Sequence, residues 1–122
     1  DGTSKLCLSC HDGTIALNAF GGAPAGAPVF MPAGPTLLGT DLSNDHPVSF
    51  TFDAALATTD GALFNPVTTL SGLTPAGTIQ TDMLFSNKLQ CASCHNPHGA
   101  GFPKFLRKSN AGSALCLTCH NK

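Results

Sequence analysis

Residues 91–98 read Cys91-Ala92-Ser93-Cys94-His95-Asn96-Pro97-His98. The first five of these residues set a pattern that recurs along the chain. All six cysteines fall in three pairs, Cys7/Cys10, Cys91/Cys94 and Cys116/Cys119, and each pair is followed at once by a histidine: His11, His95 and His120. C-x-x-C-H is the attachment signature of c-type haem. The spacing has a physical reason: two thiols about one helical turn apart add to the two vinyl groups of one porphyrin, and the next residue then sits over the iron as its proximal ligand. Zinc takes four Cys or Cys/His ligands and disulfides pair cysteines, but neither chemistry requires histidine directly after every pair. A thioredoxin-like motif is normally single and sits in a βαβ context, which this sequence lacks. With five histidines in 122 positions, chance places one after all three pairs on the order of once in ten thousand trials. The cofactor expected is therefore haem c, three per chain and covalently bound.

Composition points the same way. A chain of 122 residues is expected to form one domain, here a single trihaem domain over 1–122. The formal net charge of -1 excludes a basic nucleic-acid face. No apolar run of ~20 residues exists to span a membrane. No charged start precedes an apolar segment, so a signal peptide is expected to have been removed, or never to have existed. The apolar fraction is rich in alanine, tryptophan and tyrosine are absent, and there are 13 glycines and 9 prolines. Side chains alone make a poor core. The expected fold class is a multihaem cytochrome c: mostly irregular, with short helices at the CxxCH motifs and a small β-hairpin, the haems forming the core. Each porphyrin buries apolar area at roughly 25 cal/mol per Å², so the apo-chain is expected to be disordered.

Three six-coordinate irons need six axial ligands, and the chain has five histidines. His11, His95 and His120 are the proximal set. His46 and His98 remain as distal ligands. His98 is only three residues past His95, a reach of about 10 Å, and Pro97 stiffens the path, so it is expected to serve a neighbouring haem, that of Cys116/Cys119. The alternative is a surface histidine in an Asn-Pro turn. One position is left without histidine. Of the two methionines, Met83 reads as packing and Met31, in a Pro/Gly-rich loop, is favoured as the distal ligand. The amino group of Asp1, a lysine, a histidine from another protein or an open site are the other options. His46 and Met31 then divide the first two haems.

Along the chain, 4–11 and 113–120 are near copies, each expected as a short helical turn with leucine against the haem edge. Residues 20–40 and 60–78 read as loops, and Asp53 as the start of a helical turn over 53–58. Val48, Phe50 and Phe52 alternate as an extended segment. Residues 82–85 and 88–91 read as a hairpin with Ser86-Asn87 at its turn. Residues 102–108 form a basic-apolar patch suited to haem propionates, or else a solvated loop. The short interval from His95 to Cys116 predicts a close pair of haems 2 and 3.

Four stretches, C-L-S-C-H-D-G-T at 7–14, L-G-T-D-L-S-N-D-H-P-V-S-F at 38–50, C-A-S-C-H-N-P-H-G at 91–99 and L-R-K-S-N-A-G-S-A-L-C-L-T-C-H at 106–120, together resemble the doubled-CXXCH-motif multihaem cytochromes. The resemblance implies electron transfer outside the cytoplasm, extracellular or periplasmic, usually through bis-histidine haems. Some similar cytochromes polymerise into extracellular filaments with one axial ligand donated by the next subunit. The partners implied are redox proteins or extracellular electron acceptors, and copies of the chain itself through haem stacking. Low charge and little self-burying surface favour packing against copies, whereas a soluble periplasmic shuttle is expected to show a charged docking face. No cluster of general acids and bases marks an enzyme. A small haem reductase is the alternative that an open iron position would allow.

Overall fold

The computed structural model describes residues 2–22, 26–99 and 101–121. The chain divides into two compact units, Asp1–Pro47 and Val48–Lys122.

Unit 1 opens with helix α1, Gly2–His11. Its sequence after Gly2 contains no proline or glycine to interrupt it, and it carries the first CxxCH motif, Cys7 to His11, as its last turns. Ten residues are marginal for an isolated helix, and Ser4 is its one buried residue. The rest of the unit is irregular apart from a 3-10 turn at Phe20–Gly22. Asn18 substitutes for a strand pairing: its amide donates to the Ala27 carbonyl at 3.0 Å and its carbonyl accepts from the Val29 N–H at 3.0 Å. Among the described residues of this unit no apolar side chain is buried.

Unit 2 holds the apolar core of the described residues: Phe52, Ala57, Ile79, Met83, Leu84, Leu89 and Leu115. Helix α2, Ala54–Asp60, starts where Asp53 accepts from the Leu56 N–H at 2.8 Å and ends at Gly61 in the left-handed region. That start and stop follow the ordinary capping rules and confirm Asp53 as the helix initiator. Helix α3, Ile79–Met83, is set by reciprocal Thr78 and Thr81 bonds, and it buries Ile79 and Met83. Met83 is thus a packing residue. Helix α4, Cys91–Cys94, is a single turn. Buried Ser93 fixes its start by accepting from the Gln90 N–H at 2.9 Å, and Gln90 in turn accepts from Ser49 Oγ at 3.1 Å.

The expected hairpin is cut to its closing pair, and a second pairing takes over beyond it. Residues 79–83 are helical, so its first arm is not a strand. Ser86 and Asn87 do form the two-residue turn, both at positive φ, the geometry that matches tight hairpins. Pairing across it stops at Phe85 and Lys88. Residues 87–89 pair instead with the 49–52 segment, through Ser49 N to Leu89 O at 2.6 Å, Leu89 N to Phe50 O at 3.1 Å and Phe52 N to Asn87 O at 2.9 Å. The reason is burial: this pairing drops Phe52 into the core at 2% exposure. Among the described residues, bridges of this kind are isolated and no continuous strand forms.

Asp82 clips the 71–77 loop onto α3. It accepts from the Ser71 hydroxyl and from Thr74 Oγ1 at 2.9 Å. The Ser71 bond chiefly holds the Asp82 carboxyl below its ordinary range, with loss of water opposing and Thr74 and Thr81 assisting.

Candidate haem-attachment sites

Each CxxCH motif ends against a loop from elsewhere in its own unit. In unit 1 the His11 carbonyl accepts from Leu38 N at 2.8 Å and Gly39 N at 3.3 Å. In unit 2 His95 bridges Leu106, with Arg107 N donating to Cys94 O at 2.9 Å and Asn96 N to Phe105 O at 2.7 Å. His120 bridges Leu63, with Phe64 N donating to Cys119 O at 2.8 Å and Asn121 N to Ala62 O at 2.9 Å. Three motifs are thus pinned alike, though their local helices differ.

The same loops set the imidazole protons. His11 Nδ1 lies 2.7 Å from the Thr36 carbonyl, and His95 Nδ1 lies 2.9 Å from the Lys104 carbonyl. A carbonyl only accepts, so each contact requires the proton on Nδ1 and leaves the Nε2 lone pair available to a metal. In both cases the acceptor lies two residues before the residue that meets the histidine backbone, Thr36 before Leu38, which donates to His11, and Lys104 before Leu106, which bridges His95. Lys104 and Phe105 both adopt positive φ, a conformation that costs an ordinary residue about 1–2 kcal/mol and here aims the Lys104 carbonyl back at His95. In unit 1, Gly13 at φ +78 brings its backbone so near Leu37 that a Cβ there would lie 2.7 Å from Leu37 Cδ1. This close approach seats the 36–39 loop on His11.

The six cysteines assigned to haem form no disulfide, so none of the thiols is spent on another. Their surroundings divide by unit. Cys7 and Cys10 are half-buried on the last turns of α1, and the Cys10 carbonyl accepts from Gly13 N at 3.1 Å where the helix ends. Neither has a buried apolar side chain of its own unit to pack on, among the described residues. In unit 2, Cys94 and Cys119 pack against the core, Cys91 is half-buried and Cys116 is exposed. Burial, then the charge of nearby Cys116, pushes the Cys94 thiol up. Burial, then Cys94, pushes the Cys119 thiol up to about 11. The second and third motifs are therefore neighbours on one core, as the short interval between them predicts. Among the described residues no three His, Cys, Asp or Glu side chains converge as ligands of one metal ion.

The remaining candidates are dispersed. His46 is exposed, and its Nδ1 lies 2.9 Å from the Pro47 carbonyl, the same proton-fixing contact. His98 is exposed in the expected Asn-Pro turn. Its N–H donates to Asn96 Oδ1 at 3.1 Å, and Gly99 N closes the turn onto Asn96 O at 3.0 Å. Met31 is half-buried in its loop. Asp1 lies outside the described residues.

Two cations of the basic-apolar stretch at 102–108 reach acceptors within unit 2. Arg107 donates to the Asp82 carbonyl at 2.7 Å, and Lys108 donates to the Ser71 carbonyl at 3.0 Å and Thr118 Oγ1 at 2.9 Å. Arg107 and Lys108 thus anchor this stretch internally, while Phe102, Pro103, Lys104 and Phe105 are exposed. Arg107 does line an open cavity of about 300 Å³ beside the second motif, with Asn96, Phe102 and Leu106. The carbonyls of Thr36 and Lys104 were not foreseeable, because a backbone acceptor leaves no residue-type signature.

The donor chemistry fits haem c. Thiols stand in pairs beside histidines, and His11 and His95 direct Nδ1 at carbonyls and leave Nε2 for iron. The loops that pin those histidines also present large apolar side chains to the surface, Leu38, Phe64 and Phe105, and Leu6 and Leu117 flank or lie within motifs. Such surfaces suit the faces of an apolar ring better than they suit water.

These features define a class, a protein that attaches haem through CxxCH. Residues 84–122 match the model of the doubled CXXCH motif family. The match supports a multihaem c-type cytochrome-like family, and with it haem binding and electron transfer. It takes in the second and third motifs and does not reach Cys7, Cys10 and His11, whose assignment to haem stands on the CxxCH spacing and on the His11 contact with Thr36. No curated protein matches the chain. Multihaem c-type cytochromes are usually exported, and among the described residues no helix is long and apolar enough to cross a membrane.

Proposed function

We propose that the chain is a trihaem c-type cytochrome that passes electrons outside the cytoplasm and catalyses no reaction of its own. The observation carrying this reading is that every cysteine belongs to a C-x-x-C-H motif, and every motif is pinned at its histidine by a second loop. When bound, the haems supply iron that cycles between ferric and ferrous states. Cys7 and Cys10, Cys91 and Cys94, and Cys116 and Cys119 would hold the porphyrins as thioethers. His11 and His95, with Nδ1 protons directed at carbonyls, would present Nε2 to iron. His120 completes the proximal set, and His46, His98 and Met31 are the distal candidates. The proximity of Cys94, Cys116 and Cys119 supports a close haem pair in unit 2.

Filament formation by stacking of copies fits the exposed apolar side chains near the motifs and the low charge. Redox proteins or extracellular acceptors are the partners. The test is a redox titration of the native protein followed in its visible spectrum, with size-exclusion chromatography and negative-stain microscopy alongside. Three reversible one-electron steps and large assemblies support the whole reading. A monomer with three such steps supports the carrier without the filament, and the absence of any reversible step rejects both.

A further inference from the structure

Arg107 is only partly spent. Its Nη1 donates to the Asp82 carbonyl at 2.7 Å and, at 3.5 Å, to the carbonyls of Ala92 and Ser93. Among the described residues its Nε and Nη2 donate to no protein acceptor, and no carboxylate pairs with it. The carbonyls hold the guanidinium in place, so its other edge, two N–H groups, is fixed and uncommitted. Arg107 lines the open cavity of about 300 Å³ in unit 2.

The rest of the lining matches one kind of ligand. Asn96 Oδ1 accepts from the His98 N–H at 3.1 Å, which leaves its Nδ2 as a second donor. Gly99 passes so close that a Cβ there would lie 2.8 Å from that Nδ2 and crowd it. Leu73, Phe102 and Leu106 form an apolar wall, with Phe102 40% exposed. Among the described residues no acid lines the cavity, and Asp82 directs its carboxylate to Ser71 and Thr74 instead. A guanidinium edge takes a carboxylate through two parallel bonds, and an apolar wall takes the carbon skeleton behind it.

We propose that this cavity binds a small organic carboxylate, with Arg107 as its anchor. The carboxylate is a free acid from solution or a haem propionate. The porphyrin at Cys91 and Cys94 is not its source: the guanidinium lies against Ala92 and Ser93, between the two thioether positions, and propionates leave a haem from the opposite edge. Within unit 2 a propionate then comes from the haem at Cys116 and Cys119, and that source alone rests on the trihaem reading above.

Isothermal titration calorimetry of the intact holoprotein with benzoate, and with uncharged benzamide alongside, tests this without any activity assay. A free-acid site is expected to take one benzoate per chain, at least about tenfold more tightly than benzamide. Arg107→Met should abolish that preference for the anion. Phe102→Ala changes an exposed side chain outside the core and should weaken benzoate about fivefold, which keeps the test should Arg107→Met unfold unit 2. A native chain that binds none, while Cys116→Ala/Cys119→Ala binds one, identifies the occupant as the propionate. Binding by neither chain, equal affinity for benzamide, or an anion preference that survives Arg107→Met would overturn the proposal. Fewer than three porphyrins by intact mass would instead refute the trihaem reading and leave the free-acid result standing.

Discussion

Residues 4–11 and 113–120 differ at two positions, Ser-Lys-Leu-Cys-Leu-Ser-Cys-His against Ser-Ala-Leu-Cys-Leu-Thr-Cys-His, and they occupy unlike surroundings. The first completes a ten-residue helix whose Leu6 is 75% exposed. The second begins with Ser113 at positive φ, which no regular helix continues through, and passes through a 3-10 turn at Cys116–Thr118. Its Leu115 is 7% exposed in the core. The motif encodes attachment chemistry, while the surroundings decide what holds it in place. Unit 2 surrounds its motifs with a protein core. Around Cys7 and Cys10 the described residues of unit 1 supply none.

The largest expected effect breaks the two units apart. Removing the first attachment site with Cys7→Ala/Cys10→Ala should lower amide protection across 2–47 by on the order of a thousandfold and leave 48–121 protected. Hydrogen exchange with mass spectrometry reads both at once. Loss of protection in unit 2 as well would mean that its core does not stand alone. Next comes the leucine pair. Leu115→Ala should cost about 2–5 kcal/mol in denaturant unfolding of unit 2, and Leu6→Ala under about 0.5 kcal/mol. Equal costs would erase the distinction. Lys108→Met removes two donors to part-buried acceptors and should cost about 1–3 kcal/mol, confined to unit 2.

The smallest effect is pH dependence. Asp82 has a folded pKa below its unfolded value of about 4, chiefly through the Ser71 bond. Its contribution is present above the unfolded pKa and is lost as pH falls through the folded one. The thermal midpoint of unit 2 should therefore drop on acidification below about pH 4, and Asp82→Asn should flatten that part of the profile.

What the sequence made legible was chemistry and local rules. The CxxCH spacing, the Asp53 cap, the packing role of Met83 and the proximity of the second and third motifs were all readable from residue type and interval. The Ser86-Asn87 turn and its Phe85/Lys88 pair were legible, but the first arm was misread because the Thr78 cap lacks the Glu or Gln partner that usually completes a capping box. The destinations of Arg107 and Lys108 were hidden because their acceptors, Asp82 and Ser71, are backbone carbonyls 25 and 37 residues away. The unlike settings of Cys10 and Cys119 were hidden too, since near-identical motifs surround them. The division at Pro47 was equally silent: composition is loop-like on both sides, and only the clustering of Phe52, Ile79, Met83 and Leu115 across distant segments separates the units.

Intact mass spectrometry of the native protein, followed by peptide mapping, tests the central claim most directly. Three haem increments are expected, one each on the peptides containing Cys7/Cys10, Cys91/Cys94 and Cys116/Cys119. Unmodified thiols on any of the three would contradict it.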